Sequence, residues 1–192
     1  MPLIVLHCNG NKHEGTLDED VKNMGTRYGN VIHVLQNENE NYVFPSPEQE
    51  QVIHILSHGG VDHVCDMKAS TFNDWMVKAF KMSSNKGLNQ TYFIYSCDVA
   101  KGGSNLLSGL AVHVAKSQFK NRRFIGTVGE NGVVKTTSGK GKVLVQTEAG
   151  KLQDLGLGWK GYRTLFKNKA VSSEKIPDTE VQQAVVSLMK WA

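Results

Sequence analysis

Cysteine is scarce in this 192-residue chain, with one copy each at positions 8, 65 and 97. Three thiols cannot all pair, and the spacing of Cys8, Cys65 and Cys97 matches neither a disulfide framework nor a Cys-x-x-Cys metal site. The expectation is three free thiols in a reducing compartment. Long apolar runs are also missing. Nothing approaches the ~20 residues that cross a bilayer, so no membrane span is expected. The first apolar run, Leu3-Ile4-Val5-Leu6, has neither the basic flank nor the cleavage site of a signal peptide and reads as a strand. A cytoplasmic protein, or one secreted without a classical signal, is the corresponding expectation. Concentrated charge is absent as well. The net charge of +4 comes from scattered Lys and Arg, with no basic stripe interleaved with aromatics, which argues against a nucleic-acid partner. No internal repeat or low-complexity tract is present.

What the chain does have is the apolar content of a folded domain, 40% hydrophobic against 21% charged, at a length that buries a core without staples. Strand signals alternate with helix signals over the first 130 residues. Residues 3–7 and 31–35 are apolar and rich in β-branched side chains, and between them Thr16 and Glu19 have capping-box spacing ahead of a helix over 17–28. A short edge strand is expected at 42–44 and a proline break at 45–47. The next strand covers 52–57, and 59–69 reads as irregular. A helix capped by Thr71 follows, with Phe72, Trp75, Met76, Ala79 and Phe80 on its apolar face. A strand at 91–96, a helix opened by Ser104 and a strand at 123–128 complete the series. Parallel neighbours require such crossovers, so a mainly parallel sheet covered on both faces is expected.

Beyond Gly129 the pattern changes to short strand candidates at 132–134, 142–146 and 162–166, separated by glycine-rich turns and read as hairpins on one sheet edge. Val181, Ala184, Val185, Leu188 and Met189 then define an amphipathic C-terminal helix after Pro177. The organisation is a single domain, with an α/β core at 1–130, a hairpin extension at 131–170 and the terminal helix segment at 171–192.

Two apolar strands end at reactive side chains. Val52-Ile53-His54-Ile55-Leu56-Ser57 runs into His58-Gly59-Gly60, and Tyr92-Phe93-Ile94-Tyr95-Ser96 runs into Cys97. Side by side in a parallel sheet, both would lie at the carboxyl edge, where open α/β sheets bind ligands. A cysteine is a strong nucleophile only as a thiolate, which a neighbouring imidazole or a helix start favours. Gly59 and Gly60 let backbone approach a substrate, and the amides of Gly59 and of Cys97 are the candidate oxyanion donors.

In strand order and in the placement of His58-Gly59 and Ser96-Cys97, the chain resembles the caspase-like cysteine peptidases of clan CD over residues 3–130. That family includes caspases, clostripain-like enzymes, gingipains and the self-processing protease domains of large bacterial toxins. The caspase signature Gln-Ala-Cys-x-Gly is replaced here by Tyr95-Ser96-Cys97-Asp98-Val99, so the likeness is closer to the bacterial branches. The resemblance implies a caspase-like three-layer α/β sandwich with a mainly parallel sheet. It also implies a thiol protease acting on a protein or peptide substrate or on itself, in the manner of a bacterial effector. Cys97 would be the nucleophile, His58 the proton donor to the leaving amine, and Gly59 and Cys97 the oxyanion amides. A deamidase or acyltransferase using the same dyad, and a binding domain with an inert cysteine, are the alternatives.

A third group orienting His58 would come from Asp62 or Asn9. Cys8, preceded by His7 at another strand end, is the competing cysteine. No cofactor is implied. His54, His58, His63 and Cys65 invite a zinc site, but on a strand His54 and His58 are about 13 Å apart, too far to share an ion. His7, His13, His33 and His113 carry no ligand spacing and are expected at the surface or satisfied in the core. The segment from Thr137 to Lys142 lacks the glycine and hydroxyl of a phosphate loop and reads as a turn. Trp159, set among glycines, is expected to pack a loop.

Overall fold

A computed structural model describes residues 2–8, 16–25, 28, 30–35, 52–79, 89–117, 119, 121–129, 131–135, 141–146, 152–153, 158–167 and 170–190. The expected strand at 42–44, the break at 45–47, Asn9, His13 and Phe80 lie outside them. The elements run β1 (Pro2–His7), α1 (Thr16–Gly25), β2 (Asn30–Leu35), β3 (Val52–Leu56), β4 (Gly59–Gly60), β5 (His63–Val64), β6 (Met67–Lys68), α2 (Ala69–Ala79) and β7 (Gln90–Tyr95). They continue with α3 (Leu106–Lys116), β8 (Arg122–Thr127), β9 (Asn131–Lys135), β10 (Gly141–Gln146), β11 (Leu152–Gln153), β12 (Trp159–Lys167), β13 (Ala170–Lys175) and α4 (Asp178–Lys190).

The central sheet has seven strands in the order β13-β12-β8-β7-β3-β1-β2. β2, β1, β3, β7 and β8 are mutually parallel, while β12 and β13 close the sheet antiparallel. The mixed α/β class with a mostly parallel sheet, antiparallel C-terminal strands and a terminal helix is thus as expected. No helix among the described residues is long and apolar enough to cross a membrane.

The pleat of the strands sorts side chains into two cores. Ile4, Leu6, Ile53, Ile55, Tyr92, Ile94 and Phe124 join Phe72 and Trp75 of α2 and Leu107 and Leu110 of α3. Leu3, Val5, Leu56, Phe93, Tyr95 and Ile125, alternating with the first set, join Leu17 and Met24 of α1 and Val181 and Val185 of α4. The near-continuous apolar strands are a direct consequence, since both faces are buried. Helix placement follows from strand order. The chain moves to one side of β1 to form β2 and to the other side to form β3, β7 and β8. Right-handed crossovers in opposite directions put α1 on the opposite face from α2 and α3.

The observed structure departs from the sequence reading in several places. Residues 59–69 are not irregular: β4, β5 and β6 form a three-stranded antiparallel meander. Thr71 lies inside α2, which begins at Ala69. Asn105, not Ser104, caps α3, because its side chain accepts from Ser108 N while Ser108 Oγ accepts from Asn105 N. The C-terminal strands do not all extend one edge. β12 and β13 do so, whereas β9, β10 and β11 form a separate sheet lying against α1.

β8 needs glycine where it passes beneath α3. A Cβ at Gly126 would lie 2.7 Å from Val99 Cγ2, 3.0 Å from Leu107 Cδ1 and 3.2 Å from the Ile94 carbonyl oxygen. Gly126→Ala is therefore expected to destabilise the fold by about 1–3 kcal/mol through overpacking. Urea unfolding measures this, and an unshifted midpoint would refute the packing described.

Candidate functional site

The ladders bring three strand ends to one level. Val5 pairs with Leu56 across β1 and β3, and Leu56 with Tyr95 across β3 and β7. One residue further, Ser57 N donates to the Tyr95 carbonyl oxygen at 3.1 Å and Ser57 Oγ to that of Leu6 at 2.8 Å, so the register persists past the strands. His7 ends β1, and His58 and Cys97 each follow two residues after Leu56 and Tyr95, the last paired residues of β3 and β7. His58 is exposed, Cys97 half-buried and His7 buried. Thus His58 and Cys97, read as a pair from sequence, each lie two residues past the last paired residue of adjacent parallel strands.

The loop after His58 is shaped by the meander. Cys65 N donates to the His58 carbonyl oxygen at 2.9 Å, and Gly59 pairs with Val64. Antiparallel ladders alternate hydrogen-bonded and non-hydrogen-bonded pairs, so Gly59 occupies a non-hydrogen-bonded pair and its N–H is directed away from β5. A side chain there has no room. A Cβ at Gly59 would run into Ser96 Oγ and lie 2.6 Å from the His63 carbonyl oxygen.

The loop after Cys97 is fastened to the neighbouring sheet strand. Asp98 adopts a left-handed conformation, φ 58°, which Asp tolerates better than most residues. Its N–H donates to the Gly129 carbonyl oxygen at 3.1 Å, Ala100 N donates to that of Thr127 at 2.9 Å, and Thr127 Oγ1 donates to that of Ser96 at 2.6 Å. Lys101 Nζ pairs with Asp98 Oδ1 at 3.1 Å. The two loops are joined where Leu106 N donates to the Val61 carbonyl oxygen at 2.7 Å. That bond and the Asn105 cap occupy amides of the α3 N-terminus.

Beneath the site lies a buried polar cluster. His54 Nδ1 is 2.9 Å from Tyr95 Oη and 3.2 Å from Tyr28 Oη, and the two hydroxyls are 3.0 Å apart. Trp159 packs edge-on against Tyr95, as its expected packing role requires, but from the first position of β12 rather than a loop. His54 is fully buried, so it serves the core. His7 is also buried, with Nε2 2.9 Å from His33 Nδ1 across β1 and β2. Asp62 bonds His63 Nδ1 at 2.8 Å, and that bond holds its carboxyl below the ordinary range. Asp62 is thus engaged with His63. No group of three His, Cys, Asp or Glu among the described residues is placed to hold a metal ion.

The expectation of three free thiols is overturned: Cys8 and Cys65 form a disulfide. Cys8, the competing strand-end cysteine, has its sulfur in that bond, and Cys97 alone lies outside it. Sequence gave no sign of the pairing, because partners 57 residues apart are brought together by sheet order. His7 was likewise missed at the site's sheet edge. Its position at the end of the first strand, next to Cys8, is the signal that marks it. Comparison with protein-family models and with curated protein sequences gives no match.

Gly59→Ala tests the loop geometry. The change is expected to cost about 1–3 kcal/mol and to reduce reaction of Cys97 with electrophiles. Pairing it with Ser96→Gly removes one clash but not that with the His63 backbone, so urea midpoints should show only partial recovery.

Proposed function

We propose that this protein is a caspase-like cysteine peptidase that cleaves a protein or peptide substrate, or itself, through Cys97 and His58. The observation that carries this reading is that both follow, at the same two-residue offset, the paired carboxyl ends of adjacent parallel strands, Leu56 of β3 and Tyr95 of β7. Support also comes from Gly59, whose N–H is directed away from its own ladder, and from the backbone bonds that fasten the Cys97 loop to Thr127 and Gly129. The disulfide supports action in an oxidising compartment.

In this mechanism the Cys97 thiolate attacks the scissile carbonyl carbon, forming a C–S bond while the carbonyl π electrons become an oxyanion. The Gly59 and Cys97 amides donate to that oxygen. His58, protonated, gives its proton to the departing amine as the C–N bond breaks. Water, deprotonated by the now neutral His58, attacks the thioester. Collapse releases the acid and restores the thiolate and the imidazolium.

The test is site-resolved labelling by electrophilic peptide probes with varied side chains before the warhead. Cys97→Ala should abolish labelling and His58→Ala should slow it about 100-fold, the scale of a lost proton-transfer group. Labelling elsewhere in the chain that survives Cys97→Ala, or a rate at Cys97 indifferent to His58, would sink the reading. Product analysis separates peptidase from deamidase, since only the former shortens the substrate.

A further inference from the structure

The order of the central sheet reverses between β1 and β3, and crevices outside the carboxyl ends of strands at such reversals are where α/β sheets take ligands. Here that crevice is spanned by the Cys8–Cys65 disulfide. Cys8 follows the last residue of β1, and Cys65 occupies the turn between β5 and β6 in a left-handed conformation, φ 51°, with 5.1 Å between the Cα atoms. The cystine is bonded into the surroundings of His58. Cys65 N donates to the His58 carbonyl oxygen at 2.9 Å, and Cys65 Sγ lies 3.1 Å from Ser57 Oγ, the hydroxyl that donates to the Leu6 carbonyl oxygen. The meander carrying Cys65 consists of three two-residue strands, which by themselves have little ladder to hold a shape.

We propose that the Cys8–Cys65 disulfide positions His58, so that the site is competent only while this bond is intact. The inference rests on the reading of Cys97 and His58 as the dyad. It gives the site an uncommon redox requirement: the nucleophile must be a thiol, while two other sulfurs fifty-seven positions apart must be oxidised. Reduction by a dithiol switches the site off. A reductant thiolate attacks one cystine sulfur and displaces the other as a thiolate. The second reductant thiol then expels the protein sulfur from the mixed disulfide, leaving two protein thiols and one oxidised reductant. Cys65 is 5% exposed and Cys8 half-buried, so a reductant reaches the bond from the Cys8 side.

The experiment compares the full native chain, the same chain after dithiol treatment, and the Cys8→Ala/Cys65→Ala variant, each with and without His58→Ala. Two quantities are read: peptide-probe labelling at Cys97, and amide hydrogen exchange over residues 58–68. Opening the disulfide is expected to slow labelling at least tenfold and to speed exchange at the Cys65 amide at least tenfold. In chains lacking His58, opening it should change labelling little, since a positioning element acts only through the group it positions. A purely structural role would multiply with the His58 loss instead, and that result overturns the proposal. So does an unchanged exchange rate at Cys65. Labelling that depends on His58 but not on the disulfide overturns this proposal alone, whereas labelling indifferent to His58 in the native chain overturns the dyad with it. Should the double variant fail to fold, the dithiol-treated native chain, checked by circular dichroism, supplies the same comparison.

Discussion

The register of the β1-β3-β7 ladder is the constraint on which the rest of the site depends. Parallel strands bring their carboxyl ends to one edge, but only a fixed register brings chosen residues to one level. Here two packed faces do the fixing. Slipping β3 by one residue against its neighbours would turn Ile53 and Ile55 toward the α1/α4 core and His54 and Leu56 toward the α2/α3 core. Each misplaced large apolar side chain puts at risk about 1.5–3 kcal/mol of burial energy, and several would move together. The His58 and Cys97 positions are therefore inherited from core packing that begins several residues earlier.

The loops beyond the two strand ends are held by different means. The Cys97 loop is fastened to the sheet by backbone bonds to Thr127 and Gly129 and to α3 by the Asn105 cap, so ordinary secondary structure secures it. The His58 loop is held by the short meander, whose Val64 and Met67 pack in the α2/α3 core, by the Val61 bond to α3 and by the disulfide. The two loops thus differ in the kind of support they have, and the covalent tie lies on the histidine side. A covalent tie there limits the motions open to a loop whose own ladders are two residues long, which noncovalent contacts of that size do weakly.

Legibility in the sequence tracked how far apart the interacting residues lie. The strands that became β1, β2, β3, β7 and β8 were readable because burial on both faces demands apolar runs, and α2, α3 and α4 because one face of each is apolar. β13 was not readable, since Ala170-Val171-Ser172-Ser173-Glu174-Lys175 is largely polar and owes its strand form to pairing with β12. The meander escaped because a two-residue strand has no period to detect. For the site, the chain order of His58 and Cys97 and the helix between them were visible. Their matching offset from paired strand ends was not, because it depends on hydrogen bonds between strands, and neither was the disulfide, which joins a strand end to a distant turn.

The choice of His58 for the proposed dyad can be argued against every other described histidine. His54 is fully buried and bonded to two tyrosine hydroxyls, four residues down the strand from the sheet edge. His63 lies on β5 and is engaged with Asp62, and His113 lies in the last turn of α3. His33 is on β2 and meets His7. His7 ends β1 at the same sheet edge, yet it is buried and β3 stands between β1 and β7. Adjacent strands are 4.7–4.9 Å apart, roughly, so His7 starts about 10 Å from the thiol's strand and His58 about half that. A proton must pass to a leaving group beside the sulfur, from a ring that a substrate can reach. Among the described histidines, exposure and strand adjacency together favour His58 for the proposed role.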